Sequence, residues 1–330
     1  MTLSRAIRMH AFGGPEALVL DEVETAEPGE GEVLVRVHAA GVNPVDWKIC
    51  AGNLQARIPH DLPFVPGWDL SGEVMARGFG ARRFDVGDRV FGYIRRPRVR
   101  DGAWAERVVV PECYLAKQPR ALGFAEAAAL PLAGLTAYQS LHDAGQLARG
   151  ERVLVLGASG GVGGIAVQLA RVSGAGFVVG LASPRNHDYV LDLGAQVALD
   201  YGRDDLLDAL RTACPEGFDV ILDAVGGTLP HTLSALLRAG GRLVTLLRHD
   251  PMPESWHYVF VEPNARQLEV LGAFAAAGLR VDVSATYPLE RAAEALDAIR
   301  TGHTRGKIVL TLSPSLPPPP PSEDGTPPTG

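Results

Sequence analysis

The predicted fold class is α/β, a doubly wound parallel sheet inserted into a β-rich domain. Three observations predict it. Within residues 151–171 a strand-like run breaks into a glycine-dense turn and then a helical segment. Strand-like and helical patterns alternate from there to residue 247. Short alternating strands dominate what precedes this region, and two strand-like runs follow it.

In chain order, residues 6–122 read as β-rich: alternating runs at 18–23, 32–38, 70–77, 88–93 and 104–110 are separated by Pro and Gly turns. At Phe124 the texture changes to an alanine-rich stretch, which Pro131 divides into two helices. Five strand-like runs follow, at 152–156, 177–181, 196–200, 218–223 and 242–247, with helical patterns between them. That alternation predicts a parallel sheet wrapped on both faces. Past Glu262, Pro263 suits a first helical turn, and Leu268, Leu271, Phe274 and Ala275 make one apolar face. A strand at 280–287, a helix at 289–301 and a strand at 307–312 close the ordered chain. These last elements are too few to bury a core of their own and are expected to pack on the first domain. The expected boundaries are therefore 1–124, 125–262 and a return segment 263–312. Residues 313–330 are proline-rich with almost no apolar side chains, and predict a disordered or polyproline tail; a ligand for an aromatic groove is the alternative.

The turn itself reads Gly157-Ala158-Ser159-Gly160-Gly161-Val162-Gly163-Gly164, followed by Ile165, Leu169 and Val172 at helical spacing. A turn this sharp needs residues without a bulky side chain, and a pyrophosphate needs close backbone approach. The free N–H groups and dipole of the helix start favour negative charge. Ala158, Gly160 and Gly163 fit a dinucleotide fingerprint with alanine in its first place, which makes Ala158, Ser159, Gly160, Gly161, Val162 and Gly163 the candidate cofactor contacts. About twenty residues on, an acid would hold a ribose 2′-hydroxyl. The chain has Ser183-Pro184-Arg185-Asn186-His187 there instead. Ser183 and Arg185 suit a 2′-phosphate, so the expected cofactor is NADPH. A solvated helix-start arginine is the alternative for Arg185. Asp223, Gly226 and Gly227 end the fourth strand of this region, at the cleft or in an ordinary turn.

Bulk properties exclude several classes. A net charge of −7 argues against nucleic acid as partner, since such binding rests largely on Lys and Arg. No stretch has the length and apolarity of a signal peptide or membrane span, so a cytoplasmic location is expected. Cys50, Cys113 and Cys214 lie far apart, without disulfide or metal-type spacing.

Several motifs in order carry a likeness: Gly41-Val42-Asn43-Pro44-Val45-Asp46-Trp47-Lys48, Val65-Pro66-Gly67-Trp68-Asp69-Leu70-Ser71-Gly72, Val86-Gly87-Asp88-Arg89-Val90-Phe91-Gly92, Leu132-Ala133-Gly134-Leu135-Thr136-Ala137-Tyr138, the glycine turn, and Gly306-Lys307-Ile308-Val309-Leu310. Together they resemble the zinc-free quinone oxidoreductase (zeta-crystallin-like) branch of the medium-chain dehydrogenase/reductase family, over everything but the proline tail. The resemblance implies a GroES-like catalytic domain split around a Rossmann domain, an active site between them, and a homodimer. It implies a 2′-phosphate contact at Tyr201, for which edge packing is the alternative. It also implies catalytic positions at Asn43, Asp46 and Thr136: Asn43 as donor to a substrate carbonyl oxygen, Thr136 orienting the nicotinamide, Asp46 holding the loop. A turn, helix packing and a cap are their respective alternatives.

Zinc-dependent relatives carry a cysteine where this chain has Asn43 and a His-Glu pair where it has Trp68-Asp69. Indole has no lone pair for a metal and amide is a poor ligand, so no metal is expected. Without a Lewis acid, reduction of an already polarised acceptor remains feasible. The resemblance thus implies reduction of quinones or α,β-unsaturated carbonyls (enals and enones) by hydride transfer. An enoyl-thioester reductase, or a non-catalytic NADPH-binding or structural protein, is the alternative. No proton donor stands out among Lys48, Cys50, His60, Tyr93, His257 and Tyr258, which leaves solvent. Arg95-Arg96-Pro97-Arg98-Val99-Arg100 reads as a solvated loop or as a grip on phosphates.

Overall fold

The computed structural model describes residues 3–302 and 304–312; the proline-rich segment lies outside them. Its longest strand, Glu32–Val42, organises the β-rich domain by pairing antiparallel with three others: Asp69–Arg77, Arg107–Pro111 and Lys307–Thr311. Arg89–Tyr93 and Leu115–Lys117 extend the sheet on one side, and Val283–Pro288 joins Lys307–Thr311 on the other. The chain thus leaves this sheet at residue 117 and returns to it at residue 283. Leu3–Met9, which alternation in the sequence did not bring out, forms a separate hairpin with Leu18–Glu24.

Between departure and return lies a six-stranded parallel sheet. Numbering its strands by their order in the chain, the order across the sheet is 3-2-1-4-5-6, that of a dinucleotide-binding doubly wound fold. The alternation of side chains explains why both faces are covered. Along Arg152–Leu156, Val153 and Val155 join the cluster containing Ile165, Ala166 and Leu169 of the helix Gly161–Val172. Leu154 and Leu156 join the opposite cluster, with Leu206 and Leu210 of the helix Leu206–Ala213.

Three further details differ from the sequence reading. The sheet has a sixth strand, Trp256–Tyr258, too short and too polar to show as an alternating run. The fifth strand begins earlier, at Leu237, because it passes through Gly240 and Gly241. Val172 is 57% exposed: it is the last residue of its helix, and the buried run ends two residues earlier, at Ala170. As expected, Pro131 separates two helices, Phe124–Ala129 and Pro131–Tyr138, the second packed on Gly161–Val172.

The segment leading into Asp69–Arg77 shows how tightly the cleft wall is made. Gly67 has φ +87°, and a Cβ there would stand 2.1 Å from Cδ1 of the fully buried Trp104. Gly67→Ala therefore combines left-handed backbone strain with overpacking, and is expected to cost at least about 2 kcal/mol, seen as a lowered urea midpoint with unchanged slope.

Candidate active site

The two domains meet through backbone at the glycine turn. Gly306 N–H donates to Ser159 O at 3.0 Å, and Gly306 forms a bridge with Gly160. The turn has the geometry its composition predicts. Gly157 has φ +76°, Gly160 is the N-cap of Gly161–Val172, and a Cβ on Gly163 would come within 2.1 Å of Gly157 O. Ala158 is fully buried, while Ser159, Gly161 and Val162 line the turn and the helix start.

Ser183 follows the strand Phe177–Leu181 and is tied back to the turn: Asn186 Nδ2 donates to Ser183 Oγ at 3.0 Å and to Ser159 Oγ at 3.3 Å. Asn186 was read only as part of a polar run; its bridging role depends on a contact 27 residues away. Arg185 is exposed and has no ion pair among the described residues, and Tyr201 is 48% exposed just past the strand Val197–Leu199. Because Leu199 pairs with Leu181, Arg185 and Tyr201 flank the same end of neighbouring strands. At the fourth strand, Asp223 Oδ1 accepts from Val225 and Gly226 N–H, and Oδ2 from Thr245 Oγ1 at 2.7 Å, so this acid organises its own turn.

Opposite the turn, Asn43 follows the last residue of the longest strand and N-caps the helix Pro44–Cys50. Its amide is committed on both sides. Nδ2 donates to Asp69 Oδ2 at 2.9 Å, and Oδ1 accepts a short hydrogen bond from Lys307 Nζ. Lys307 Nζ also donates to Val42 O at 3.2 Å and lies 3.7 Å from Asp69 Oδ2, while Asp69 Oδ1 accepts from Leu132 N–H at 2.8 Å. Asn43, Asp69 and Lys307 are all buried. Burial pushes the Asp69 carboxyl up and the Lys307 ammonium down, and each charge holds the other part of the way back. Lys307 and Asp69 had no role assigned from sequence; a lysine heading an apolar strand was the one available signal.

Asp46 closes the cap by accepting from Asn43 N–H at 2.7 Å with Oδ2, while its buried Oδ1 has no partner among the described residues. Burial pushes this carboxyl up to about 7, against the Asn43 N–H that favours its charge. Thr136 is buried, and its hydroxyl donates to Leu132 O at 2.6 Å.

Other candidates are occupied structurally. Burial, with Asp46 adding to it, pushes the Cys50 thiol up, and burial pushes the Tyr93 phenol up; neither is an acid at neutral pH. His60 sits among Phe12 and Phe64 with Nδ1 at 2.7 Å from Ile58 O. Tyr258 accepts from Arg57 at 3.3 Å, a contact between residues 201 apart in the chain. The arginine cluster is engaged throughout: Arg95 lies over Phe260, Arg96 donates to Val109 O, Arg98 pairs with Asp61, and Arg100 pairs with Asp101. Arg98 and Arg100 are exposed as a solvated loop would have them, whereas Arg95 and Arg96 are half-buried and Val99 is buried.

Comparison with known proteins agrees with this geometry. Residues 29–120 match the alcohol dehydrogenase GroES-like domain, and residues 193–310 match a zinc-binding dehydrogenase domain. The chain is 32% identical to human quinone oxidoreductase, over 94% of this chain and 98% of that protein. It belongs to the quinone oxidoreductase branch of the medium-chain dehydrogenase/reductase family. A chloroplastic NADPH-dependent alkenal/one oxidoreductase of Arabidopsis thaliana is 33% identical over 91% of this chain and 77% of that one. The solved quinone oxidoreductase of Coxiella burnetii superposes with a TM-score of 0.84 at 30% identity, covering 94% of this chain and all of that one. This medium-chain oxidoreductase binds a nicotinamide dinucleotide, and no helix among its described residues is long and apolar enough to cross a membrane.

The zinc named in the family description does not fit these residues. Trp68 offers no lone pair, Asn43 Oδ1 already accepts from an ammonium, and both Asp69 oxygens are hydrogen-bonded. A dication would also meet the charge of Lys307.

The Asp46 carboxyl gives a signed pH effect. Its folded-state pKa lies above the ordinary 3.8, so the folded protein retains a proton that the unfolded chain releases as pH rises from about 4 to about 7. This group favours folding less as pH rises through that window. Asp46→Asn keeps an acceptor for Asn43 N–H without the charge. It is expected to flatten that decline and raise stability above pH 7 by a few kcal/mol, measured by urea unfolding across pH.

Proposed function

We propose that this oxidoreductase uses NADPH to reduce quinones or α,β-unsaturated carbonyls, with no metal in the reaction. The observation that carries the reading is the pairing of a phosphate-gripping turn with an Asn43–Asp69–Lys307 cluster whose cation is an ammonium. NADPH, when bound, supplies the hydride. The protein's share is to hold the cofactor and receive the negative charge that develops on the acceptor.

In the turn from Ala158 to Gly163 the Ala158 and Gly160 N–H groups go to Leu181 O and Gly157 O, which leaves those of the helix start, Gly161, Val162 and Gly163, for the pyrophosphate, and Ser183, Arg185 and Tyr201 form the shelf for the 2′-phosphate. Asn43 has one amide N–H beyond the one given to Asp69, and we assign it to the acceptor oxygen. Thr136, its proton given to Leu132 O, keeps lone pairs that can accept from the nicotinamide carboxamide. Asp46 acts through the Asn43 backbone, and water returns the proton. The second sheet's open edge, Trp256–Tyr258, suits pairing with a second copy in a homodimer.

Steady-state oxidation of NADPH and NADH with quinone, enal and enoyl-CoA acceptors tests the reading. Turnover with quinones or enals is expected; bound NADPH with no turnover on any acceptor would refute it. Arg185→Ala is expected to raise the NADPH Michaelis constant about tenfold or more and leave that for NADH within about twofold. Equal effects would remove Arg185 from the phosphate site. In Gly160→Ala the new Cβ would meet nothing in the protein closer than 3.4 Å. Its melting temperature is therefore expected to hold while NADPH affinity falls about tenfold, through crowding of the pyrophosphate.

A further inference from the structure

Lys307 is the one buried lysine among the described residues, and the Gly306-Lys307 dipeptide touches both the turn and the acceptor cluster. Gly306, at φ +66°, gives its N–H to Ser159 in the turn. The Lys307 stem lies along the helix start: a Cβ on Gly161 would stand 2.7 Å from Lys307 Cδ. The ammonium then reaches Asn43 Oδ1, Val42 O and the Asp69 carboxylate, 238 to 265 residues away in sequence.

A lysine needed only to neutralise Asp69 would not have to be threaded this way. Taking an ammonium and a carboxylate out of water costs about as much as their attraction returns, so the pair is a poor source of net stability. What it does supply is a fixed charge and a fixed orientation. With Lys307 on Oδ1, the Asn43 amide cannot rotate, and its Nδ2 edge is held toward Asp69 and the acceptor side.

Resting on the functional reading above, we propose that Lys307 is a positioning residue for hydride transfer. It locks the Asn43 amide and couples the acceptor wall of the cleft to the cofactor's phosphate turn, supplying the positive charge that a metal supplies in zinc-dependent relatives. Lys307 acts through Asn43 and the turn.

The test uses full-length protein with NADPH and a quinone. Lys307→Met/Asp69→Asn removes both charges together, and Lys307→Gln keeps a donor to Asn43 without charge. Thermal melts establish folding, fluorescence titration gives NADPH affinity, and NADPH deuterated at the transferred position gives the isotope effect. The double variant is expected to fold and bind NADPH within about threefold of wild type. Its kcat is expected to fall about tenfold or more, with a larger isotope effect on kcat/KM. Lys307→Gln is expected to show a smaller loss in kcat in the same direction. If the double variant keeps kcat and isotope effect within about twofold, Lys307 merely balances Asp69 and the proposal fails. Loss of NADPH affinity with kcat retained at saturation would make it a cofactor ligand instead, and unfolding of both variants a folding residue; either result overturns the proposal. A wild-type protein that binds NADPH but reduces no acceptor overturns the functional reading, and this role with it.

Discussion

The contact between the Lys307 ammonium and the Asn43–Asp69 pair constrains more of this molecule than any other. A charge that deep is tolerable only where every donor finds an oxygen. That requirement reaches outward in two directions. Toward the β-rich domain it fixes the end of Glu32–Val42, where Val42 O and Asn43 Oδ1 must both face the same ammonium. Toward the nucleotide domain it fixes Gly306, whose backbone meets the glycine turn. The late strand Lys307–Thr311 delivers both at once because it pairs with Glu32–Val42, the strand that leads into Asn43.

That arrangement sets the chemistry open to the cleft. The cluster holds one immobile positive charge, two buried carboxyls and an amide with a single uncommitted N–H. It is short of uncommitted lone pairs to ligate a cation, and its one carboxyl pushed up toward neutrality, Asp46, is turned to the Asn43 backbone at the helix start. Such a site suits an acceptor already polarised by conjugation, to which a cofactor brings two electrons and solvent brings the proton. The neighbouring Asp46 holds the helix start that presents Asn43, at the cost of a buried carboxyl oxygen without a partner among the described residues.

How much of this could be read from the sequence follows the range of each interaction. The glycine turn was legible because its residues answer local demands: Gly157 takes a positive φ and Gly163 leaves room for Gly157 O. The two-sided sheet was legible because Val153 and Val155 alternate with Leu154 and Leu156, each pair with its own cluster. The strand Trp256–Tyr258 was not, since three residues carry no period, and Val172 misled because helical spacing does not say where a neighbour ends. The arginine run at 95–100 stayed open until the partners of Arg96 and Arg98, Val109 and Asp61, were seen beside it. The role of Lys307 was hidden for the same reason: nothing within its own strand indicates that its side chain ends on a residue at the start of the fold.

The central claim is that hydride passes to the acceptor in a cleft whose fixed cation belongs to the protein. Metal analysis of the purified enzyme, paired with quinone turnover before and after exhaustive dialysis against a chelator, tests it most directly. The claim predicts far less than one zinc per chain and the same kcat on both sides of the dialysis. One tightly held zinc per chain, whose removal abolishes turnover and whose return restores it, would contradict it.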